Sequence, residues 1–458
     1  VGGGAAGASA AQFARKENRS AAIHIFEAST HPEYSRCGLP YALSGEIPSF
    51  ESLIEYSEEW FQRNKINLHL STKVVDINAS QKTLAFEGAE GDEKAGYDSL
   101  IFTTGASPSI PKIESVSAGD RLRKGVFLFR GMDDAKSLKE WCESRARKVL
   151  IVGAGLVGLE CAEALHKLGH QITVVEYLES VLPMMIDPDM ADPLLSEMIK
   201  AGIEIKTFAA VESVFGGKDV EGARIRNRND DHSEELSCDT VILTTGQRPL
   251  TSLALAAGCA LGRHGHIKVD NRCETNVPGI FAAGDCSEYK DMITKREMPV
   301  GMGSLAVKMG EIAGRNAVGG DVRLLAGFLN SRVTKLFGIE IAAVGPLSTE
   351  LSAAEIKYIQ SRVKGSTLPA YYPGGKDLLM KLTASREDVR LLSCQIMGKE
   401  GCGHRANVIG ALISAGRSAQ DLAMLETTYA PPVAPCVDVI TTAAQAILIK
   451  SRRAGPSG

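Results

Sequence analysis

The residues best suited to chemistry lie in the stretch Tyr34-Ser35-Arg36-Cys37-Gly38-Leu39-Pro40-Tyr41, which holds one thiol, with the next cysteine, Cys142, far away in sequence. A thiol acts as a nucleophile through its thiolate. A helix starting beside the sulfur aims partial positive charge at it and favours that form. The spacing predicts such a helix near Cys37, and with it a nucleophilic or redox-active thiol. A buried, inert cysteine in a loop is the competing reading of the same residues, and only the elements around the stretch decide between them.

Those elements begin at once. Gly2, Gly4 and Gly7 fit G-x-G-x-x-G and run into the small, helix-forming Ala8-Ser9-Ala10-Ala11. The first glycine permits a tight turn, the second lets a pyrophosphate approach the backbone, and the third lets helix and strand pack closely. Twenty residues past Gly7 the strand Ile23-His24-Ile25-Phe26 ends in Glu27, placed to bind a ribose hydroxyl pair. The stretch holding Cys37 begins seven residues after Glu27, so a flavin held by this fingerprint would bring its ring to the thiolate.

A second copy follows. Lys148-Val149-Leu150-Ile151-Val152 runs into Gly153, Gly155 and Gly158, a helix is expected over Leu159 to Leu168, and the strand Gln171–Val175 ends in Glu176. A carboxylate there accepts bonds from the 2′- and 3′-hydroxyls of NAD and repels a 2′-phosphate. Tyr177-Leu178-Glu179 offers no basic side chain, so NADH is favoured over NADPH. Each copy also has a downstream echo: the segment 97–108, with Thr104 and Gly105, matches the segment 238–249, with Gly246, almost position for position. Each predicts a buried strand ending in a glycine turn beside a dinucleotide. Farther on, the strand in 275–285 delivers Asp285 at its C-terminal end, where ligands of open α/β sheets bind and a cofactor hydroxyl is the expected partner. A helix from about Gly303 to Val318, small on one face, should pack back toward the cofactor.

The fold class is therefore α/β, with two Rossmann-like dinucleotide-binding domains, the second inserted in the first, plus a C-terminal α+β domain. The expected boundaries are 1–115 and 246–325 for the first, 116–245 for the second and 326–450 for the third, with 451–458 a flexible tail. Strands are expected at 333–337, 340–344, 378–383 and 389–396, and helices at about 403–415 and 437–449.

Composition narrows the class further. At 458 residues the chain is too long for one core. With 44% hydrophobic and 23% charged residues and a net charge of −4, it has no overall basic surface to recruit nucleic acid. No apolar run approaches the roughly 18 residues of a membrane span. The ten cysteines form no CxxC pair, a usage that suits a reducing cytoplasm. The chain opens at Val1 inside a motif, so a few native residues are expected to precede it, and nothing reads as a signal peptide. No metal-ligand pattern is present in the sequence.

These motifs, in this order, resemble the pyridine nucleotide–disulfide oxidoreductases across essentially the whole chain. Cys37-Gly38-Leu39-Pro40-Tyr41 is similar to the single-cysteine branch of coenzyme A-disulfide reductases, NADH oxidases and NADH peroxidases. Tyr371-Tyr372-Pro373-Gly374-Gly375 and Tyr429-Ala430-Pro431-Pro432 resemble C-terminal elements of the coenzyme A-disulfide reductase group, in which a tyrosine of the partner subunit reaches the active cysteine. Peroxidases and oxidases of this branch carry a histidine in the first glycine-rich turn, where this chain has Ala5. The reductase reading therefore leads, with NADH oxidase or peroxidase, or an electron carrier without thiol chemistry, as alternatives.

The resemblance implies FAD in the first domain, NADH or NADPH in the second, and a homodimer through the third. It implies that Cys37 attacks a small disulfide or persulfide and carries a mixed disulfide between turnovers. Tyr429, with Tyr371 or Tyr372 behind it, is the expected proton donor to the leaving thiolate, core packing being the other reading of each. Glu160 is expected to help position the nicotinamide. A coenzyme A substrate would bring a 3′-phosphate, for which Arg15, Lys16, Arg19, Arg36 and Arg63 are candidates, although a solvated helix face explains the same charges. Coenzyme A disulfide, coenzyme A persulfide, polysulfide and other small disulfides all fit. Finally, Cys436 follows a rigid Pro-rich run and should sit close to the N-terminus of a helix from Val437. That thiol is either a second exchange group or a small packing residue.

Overall fold

The computed structural model describes residues 1–88, 91–118, 121–324 and 327–453. Two parallel sheets of matching order carry the fingerprints. In one, the edge-to-edge order is Val126–Leu128, Thr240–Leu243, Lys148–Val152, Gln171–Val175 and Glu204–Lys206, all neighbours parallel. In the other, Ile280–Ala282 pairs parallel with Leu100–Phe102, and Ile23–Phe26 pairs parallel with Ile66–His69. Val1 and Gly2 join these two pairs: the Val1 carbonyl accepts from Thr103 N at 2.8 Å, and Gly2 N donates to Phe26 O at 2.8 Å. The strand Ile280–Ala282 of this sheet comes from beyond the whole of the other sheet in sequence. Apolar residues fill the strands on both faces, as a sheet covered on both sides requires: Val149–Val152 and Thr240–Leu243 are buried throughout.

The repeat extends past the sheets. Each unit adds a three-stranded antiparallel meander that sequence patterning alone did not reveal: Lys73–Asn78, Thr83–Gly88 and Gly91–Gly96 in one, Ala209–Phe215, Gly222–Asn227 and Ser233–Ser237 in the other. The segments that echo each other in sequence touch each other, since Ala106–Pro108 pairs antiparallel with Gln247–Pro249. The helix Gly303–Ala317 packs against the fingerprint helix Ala5–Glu17. The approach is so close that a side-chain carbon on Gly310 or Gly314 would lie 2.4 or 2.1 Å from the Ala6 or Ala10 carbonyl oxygen.

The C-terminal part is a five-stranded antiparallel sheet in the order Arg332–Leu336, Ile339–Val344, Leu391–Gly398, Asp377–Ser385, Tyr358–Ser366, with the helices Cys402–Ser414 and Val439–Arg453 against it. Three expectations shift here. Tyr358–Ser366 is a strand that the pattern missed, its half-buried alternation being weak. Val389 takes φ +51° in a turn, so its strand starts at Leu391. The last helix begins at Val439, two residues late, because Asp438 caps it: its carboxylate accepts from Ile440 N at 3.1 Å while also holding Arg405 at 2.7 Å. That helix runs through Ser451 to Arg453, into the expected tail. The remainder of that tail, 454–458, and the expected boundary at 325/326 lie outside the described residues.

A buried polar knot ties the nucleotide unit containing Asp187 to this sheet. Lys381, itself 6% exposed, meets Asp187 at 2.8 Å and Asp189 at 2.7 Å. Ser348 and Gln395 complete it, Ser348 Oγ donating to Asp187 Oδ2 at 2.5 Å and Asp187 N to Gln395 Oε1 at 2.9 Å. Burial alone would raise the Asp187 carboxyl, but the bonds from Lys381 and Ser348 outweigh it and hold it below its ordinary range. Lys381→Ala would strand that carboxylate, so we expect a loss of about 3–5 kcal/mol at this junction, read as a lower unfolding midpoint in urea at pH 7. Because the folded carboxylate titrates low, its contribution is present at neutral pH and fades only as pH falls below the ordinary aspartate range. An unchanged midpoint in the variant would remove the knot from the determinants of stability.

Candidate functional site

The two fingerprints are built by the same atoms. Thr103 Oγ1 donates to the carbonyls of Val1 (3.0 Å) and Gly2 (2.8 Å), and Thr244 Oγ1 to those of Val152 (2.9 Å) and Gly153 (3.0 Å). Added side chains at Gly7 and Gly158 would collide with the Gly2 and Gly153 carbonyls, at 2.1 and 2.0 Å. Gly2 and Gly153 themselves hold φ of +102° and +107°. Above the middle glycines there is open space: nothing lies within 4 Å of an added carbon at Gly155, and at Gly4 only the Arg36 guanidinium does, from 3.0 Å. This is room for a pyrophosphate at each helix start. Thr103 and Thr244 were not singled out in the sequence, although their shared place in the two echoed segments is a signal that could have found them.

The acidic residues that close each fingerprint are locked in parallel fashion. Glu27 accepts from Gly3 N (2.7 Å) and Ser29 N (2.8 Å), and Glu176 from Ala154 N (2.7 Å) and Leu178 N (2.8 Å). Each carboxylate oxygen keeps lone-pair capacity for a ribose hydroxyl. Gly105 and Gly246 adopt φ of +69° and +94°, with nothing within 4 Å of an added carbon, while Thr104 Oγ1 is drawn to Leu250 O at 2.5 Å.

Cys37 stands where these units meet. A short 3-10 turn, Arg36–Gly38, leads into the six-residue helix Leu39–Ser44. Gly38 has no room for a side chain, with Leu53 Cδ2 2.3 Å from an added carbon. The thiol is open to solvent, one of two exposed cysteines. Around it gather groups from distant parts of the chain: Glu160, Asp285, Arg130 and Arg36 all act on its charge. Asp285 is held by Arg130 at 2.6 Å, a partner the sequence reading missed. Glu160 accepts from Thr334 Oγ1 at 2.9 Å, and Thr334 comes from the C-terminal sheet. Burial lifts Glu160 to about 6 against the pull of Thr334, with Glu163 adding to the rise.

The electrostatics differ from the expectation for Cys37. Instead of lowering the thiol, the surroundings raise it above its ordinary value: desolvation acts first, then Glu160 and Asp285, against Arg130 and Arg36. The helix at Leu39 is only six residues long and its dipole is small beside two carboxylates.

The remaining predicted residues are dispersed. Tyr371 and Tyr429 share a hydroxyl–hydroxyl bond of 2.7 Å at the surface, and that bond raises the Tyr429 hydroxyl. Tyr372 is also exposed. Cys436 is exposed and free, three residues before a helix that was expected to begin beside it at Val437. Arg15 spends its guanidinium on the carbonyls of Asn64 (3.0 Å), Lys65 (2.7 Å), Arg19 (2.8 Å) and Asn18 (3.4 Å), closing the end of its helix. Lys16 lies over the Phe13 ring, and Arg63 Nε reaches the Glu59 carbonyl at 3.4 Å. Arg19 and Arg36 are exposed, Arg36 beside the Tyr34 ring and over the first glycine turn. Among the described residues no cluster of three His, Cys, Asp or Glu side chains is arranged to hold a metal, and no helix is long and apolar enough to cross a membrane.

Two dinucleotide folds flanking an accessible thiol define the class of nucleotide-dependent oxidoreductases that work through a cysteine. Residues 1–306 match the sequence profile of pyridine nucleotide-disulphide oxidoreductases, and residues 332–439 match that of their dimerisation domain. The chain belongs to the pyridine nucleotide-disulphide oxidoreductase family. It is similar to a protein of Methanocaldococcus jannaschii named NADH oxidase, at 34% identity over 453 residues, 98% of each chain. It is also similar to one of Pyrococcus horikoshii named NAD(P)H coenzyme A polysulfide/persulfide reductase, at 32% identity over 98% of this chain and 97% of that one. Its structure superposes on an NAD-dependent persulfide reductase from A. fulgidus with a TM-score of 0.93 and 30% identity, over 99% of this chain and 83% of that one. The protein is an NAD(P)H-dependent oxidoreductase, and the family's cofactors are FAD and NAD(P)H. The open space over Gly4 and the locked Glu27 fit the first, and Gly155 and Glu176 fit the second.

Since ionised Glu160 helps to raise the Cys37 thiol, Glu160→Gln should lower it and speed alkylation of Cys37 by iodoacetamide at pH 7 several-fold. Mass-spectrometric mapping separates Cys37 from Cys436, the other exposed thiol. Equal rates in the two proteins would mean that the carboxylate exerts no control over the sulfur.

Proposed function

We propose that this enzyme reduces a small disulfide or persulfide bearing coenzyme A, or a polysulfide, through Cys37 alone. The observation that carries the reading is one accessible thiol flanked by Glu160, Asp285 and Arg130, with all ten cysteines free. Cys37 forms no disulfide within its own chain, so its oxidised form in this reading is a mixed disulfide. The names of relatives from Pyrococcus horikoshii, Pyrococcus abyssi and Staphylococcus aureus support coenzyme A and sulfur chemistry.

In this reading the residues act as follows. Gly2, Gly4, Gly7, Glu27, Thr104, Gly105 and Asp285 hold FAD, which when bound supplies the two-electron relay between nicotinamide and thiol. Gly153, Gly155, Gly158, Glu176 and Gly246 hold the nicotinamide nucleotide, and Glu160 positions its reactive end. Cys37 thiolate attacks one sulfur of the substrate disulfide. The S–S bond breaks, a Cys37 mixed disulfide forms, and the departing thiolate takes a proton. The Arg130 and Arg36 cations favour the thiolate that starts this step. Arg36, Arg19, Lys16 and Arg63 are the basic groups left for the phosphates of coenzyme A, Arg15 being engaged with backbone carbonyls.

The homodimer is part of the proposal. Tyr371 (70% exposed), Tyr429, Val433 (73% exposed) and Val437 are exposed side chains of the C-terminal domain that a second copy would cover. There Tyr429, and with it Cys436, would approach Cys37 of the partner subunit, and Tyr429 would protonate the departing thiolate. A tyrosine hydroxyl is protonated at neutral pH, as a donor needs, and the Tyr371 bond raises it further.

The NADH oxidase reading has the name of the Methanocaldococcus jannaschii relative in its favour. Against it, the first turn carries Ala5 and the buried Ala6, and so offers no acid or base to an oxidised sulfur. A panel of coenzyme A disulfide, coenzyme A persulfide, polysulfide, peroxide and oxygen with NADH decides. Cys37→Ser should cut disulfide and persulfide turnover by about 100-fold or more while NADH still bleaches the flavin. Full turnover in that variant, or oxygen as the best acceptor in the native enzyme, would refute the reading.

A further inference from the structure

The second fingerprint is followed by Tyr177-Leu178-Glu179, none of which is basic, yet the fold brings a cation to this place from the far end of the meander. Arg228 lies just past the strand Gly222–Asn227, with its guanidinium carbon 3.7 Å from the centre of the Tyr177 ring and 4.7 Å from that of Phe208. Nη1 donates to the Tyr177 carbonyl at 2.8 Å. The backbone locks the arrangement: Arg228 N bonds Phe208 O (2.9 Å), Phe208 N bonds Leu178 O (2.8 Å), and Ala209 N bonds Glu176 O (2.9 Å).

The charge on Arg228 is unspent. Its basic neighbours are all paired with acids: Lys206 with Glu204 and Glu234, Arg224 with Glu235, Arg226 with Glu212 and Asp231. Among the described residues Arg228 has no carboxylate partner. A guanidinium stacked by its face on an aromatic ring presents its edge outward, and with Nη1 on the Tyr177 carbonyl it is Nε and Nη2 that would meet a phosphate. The location matters as much as the charge. Glu176, the residue before Tyr177, is where the adenosine ribose is read, and a basic residue near that point accommodates a 2′-phosphate. Tyr177 itself is 56% exposed, an aromatic surface left open beside the ribose position.

We infer that Arg228 is the specificity residue of the nicotinamide site: it binds the 2′-phosphate of NADPH, offsets Glu176, and lets the enzyme take NADPH as well as NADH. The inference rests on the second unit being the nicotinamide site.

The test uses the flavin-loaded enzyme and reads kcat/KM for both nucleotides, with calorimetric Kd values for 2′,5′-ADP and ADP. Arg228→Gln should lower the NADPH-to-NADH ratio of kcat/KM by about 10-fold or more and weaken 2′,5′-ADP relative to ADP by a similar factor. Arg228→Lys, which keeps the charge, should recover part of both. A ratio that stays within about twofold of the native one, whatever the absolute losses, would make the stack a structural pin and overturn the inference. So would native enzyme that binds ADP more tightly than 2′,5′-ADP, a result that needs no variant. Flavin reduced by neither nucleotide would instead overturn the assignment of the nicotinamide site itself.

Discussion

The architecture rests on two carbonyl oxygens that leave no room for a side chain. At Gly7 and Gly158 an added carbon would sit about 2 Å from the carbonyl oxygen of Gly2 or Gly153, well inside contact distance. Glycine there lets each helix begin directly against the end of its strand, so that unpaired N–H groups converge on one point. Thr103 and Thr244 then pin the turn from the neighbouring strand, and Glu27 and Glu176 pin it from the other side. Everything downstream, including where Cys37 lies relative to the first site, follows from the direction in which these helices leave the sheet.

The thiol is placed by convergence and not by its local sequence. Cys37 belongs to the first unit, Glu160 to the second fingerprint helix, Asp285 to the strand that returns to the first sheet, and Thr334, which orients Glu160, to the C-terminal sheet. This polypeptide environment disfavours the thiolate. Desolvation and the two carboxylates outweigh Arg130 and Arg36, so the thiol lies above its ordinary value.

Thr334 and Lys381 also explain how the C-terminal sheet acts on the site from a distance. Both cross the boundary from that sheet to the nucleotide-binding part, one to Glu160 and the other to Asp187. Tyr371 and Tyr429 lie on exposed loops of the same domain, joined through their hydroxyls.

Local patterns were sufficient to locate the two fingerprints, the tandem repeat, Cys37 and Asp285, because glycine spacing and apolar strands are constraints between residues close in sequence. They also located four of the five strands of the last sheet. They missed Tyr358–Ser366, where half-buried alternation is faint, and both meanders, whose short strands are stabilised by pairing with one another. They placed the start of the final helix at Val437, since the Asp438 cap depends on Arg405 from another helix. The partners of the site were beyond them for the same reason. Arg130 beside Asp285, Thr334 beside Glu160 and Arg228 beside Tyr177 are separated by 155, 174 and 51 residues. The residue types and their spacing determined that the chain carries two dinucleotide fingerprints and a cysteine standing apart from other thiols in the sequence. The charge around that sulfur, and the cation beside Tyr177, were decided only when distant segments packed together, because electrostatic interactions depend on distance in space and carry no periodicity along the chain.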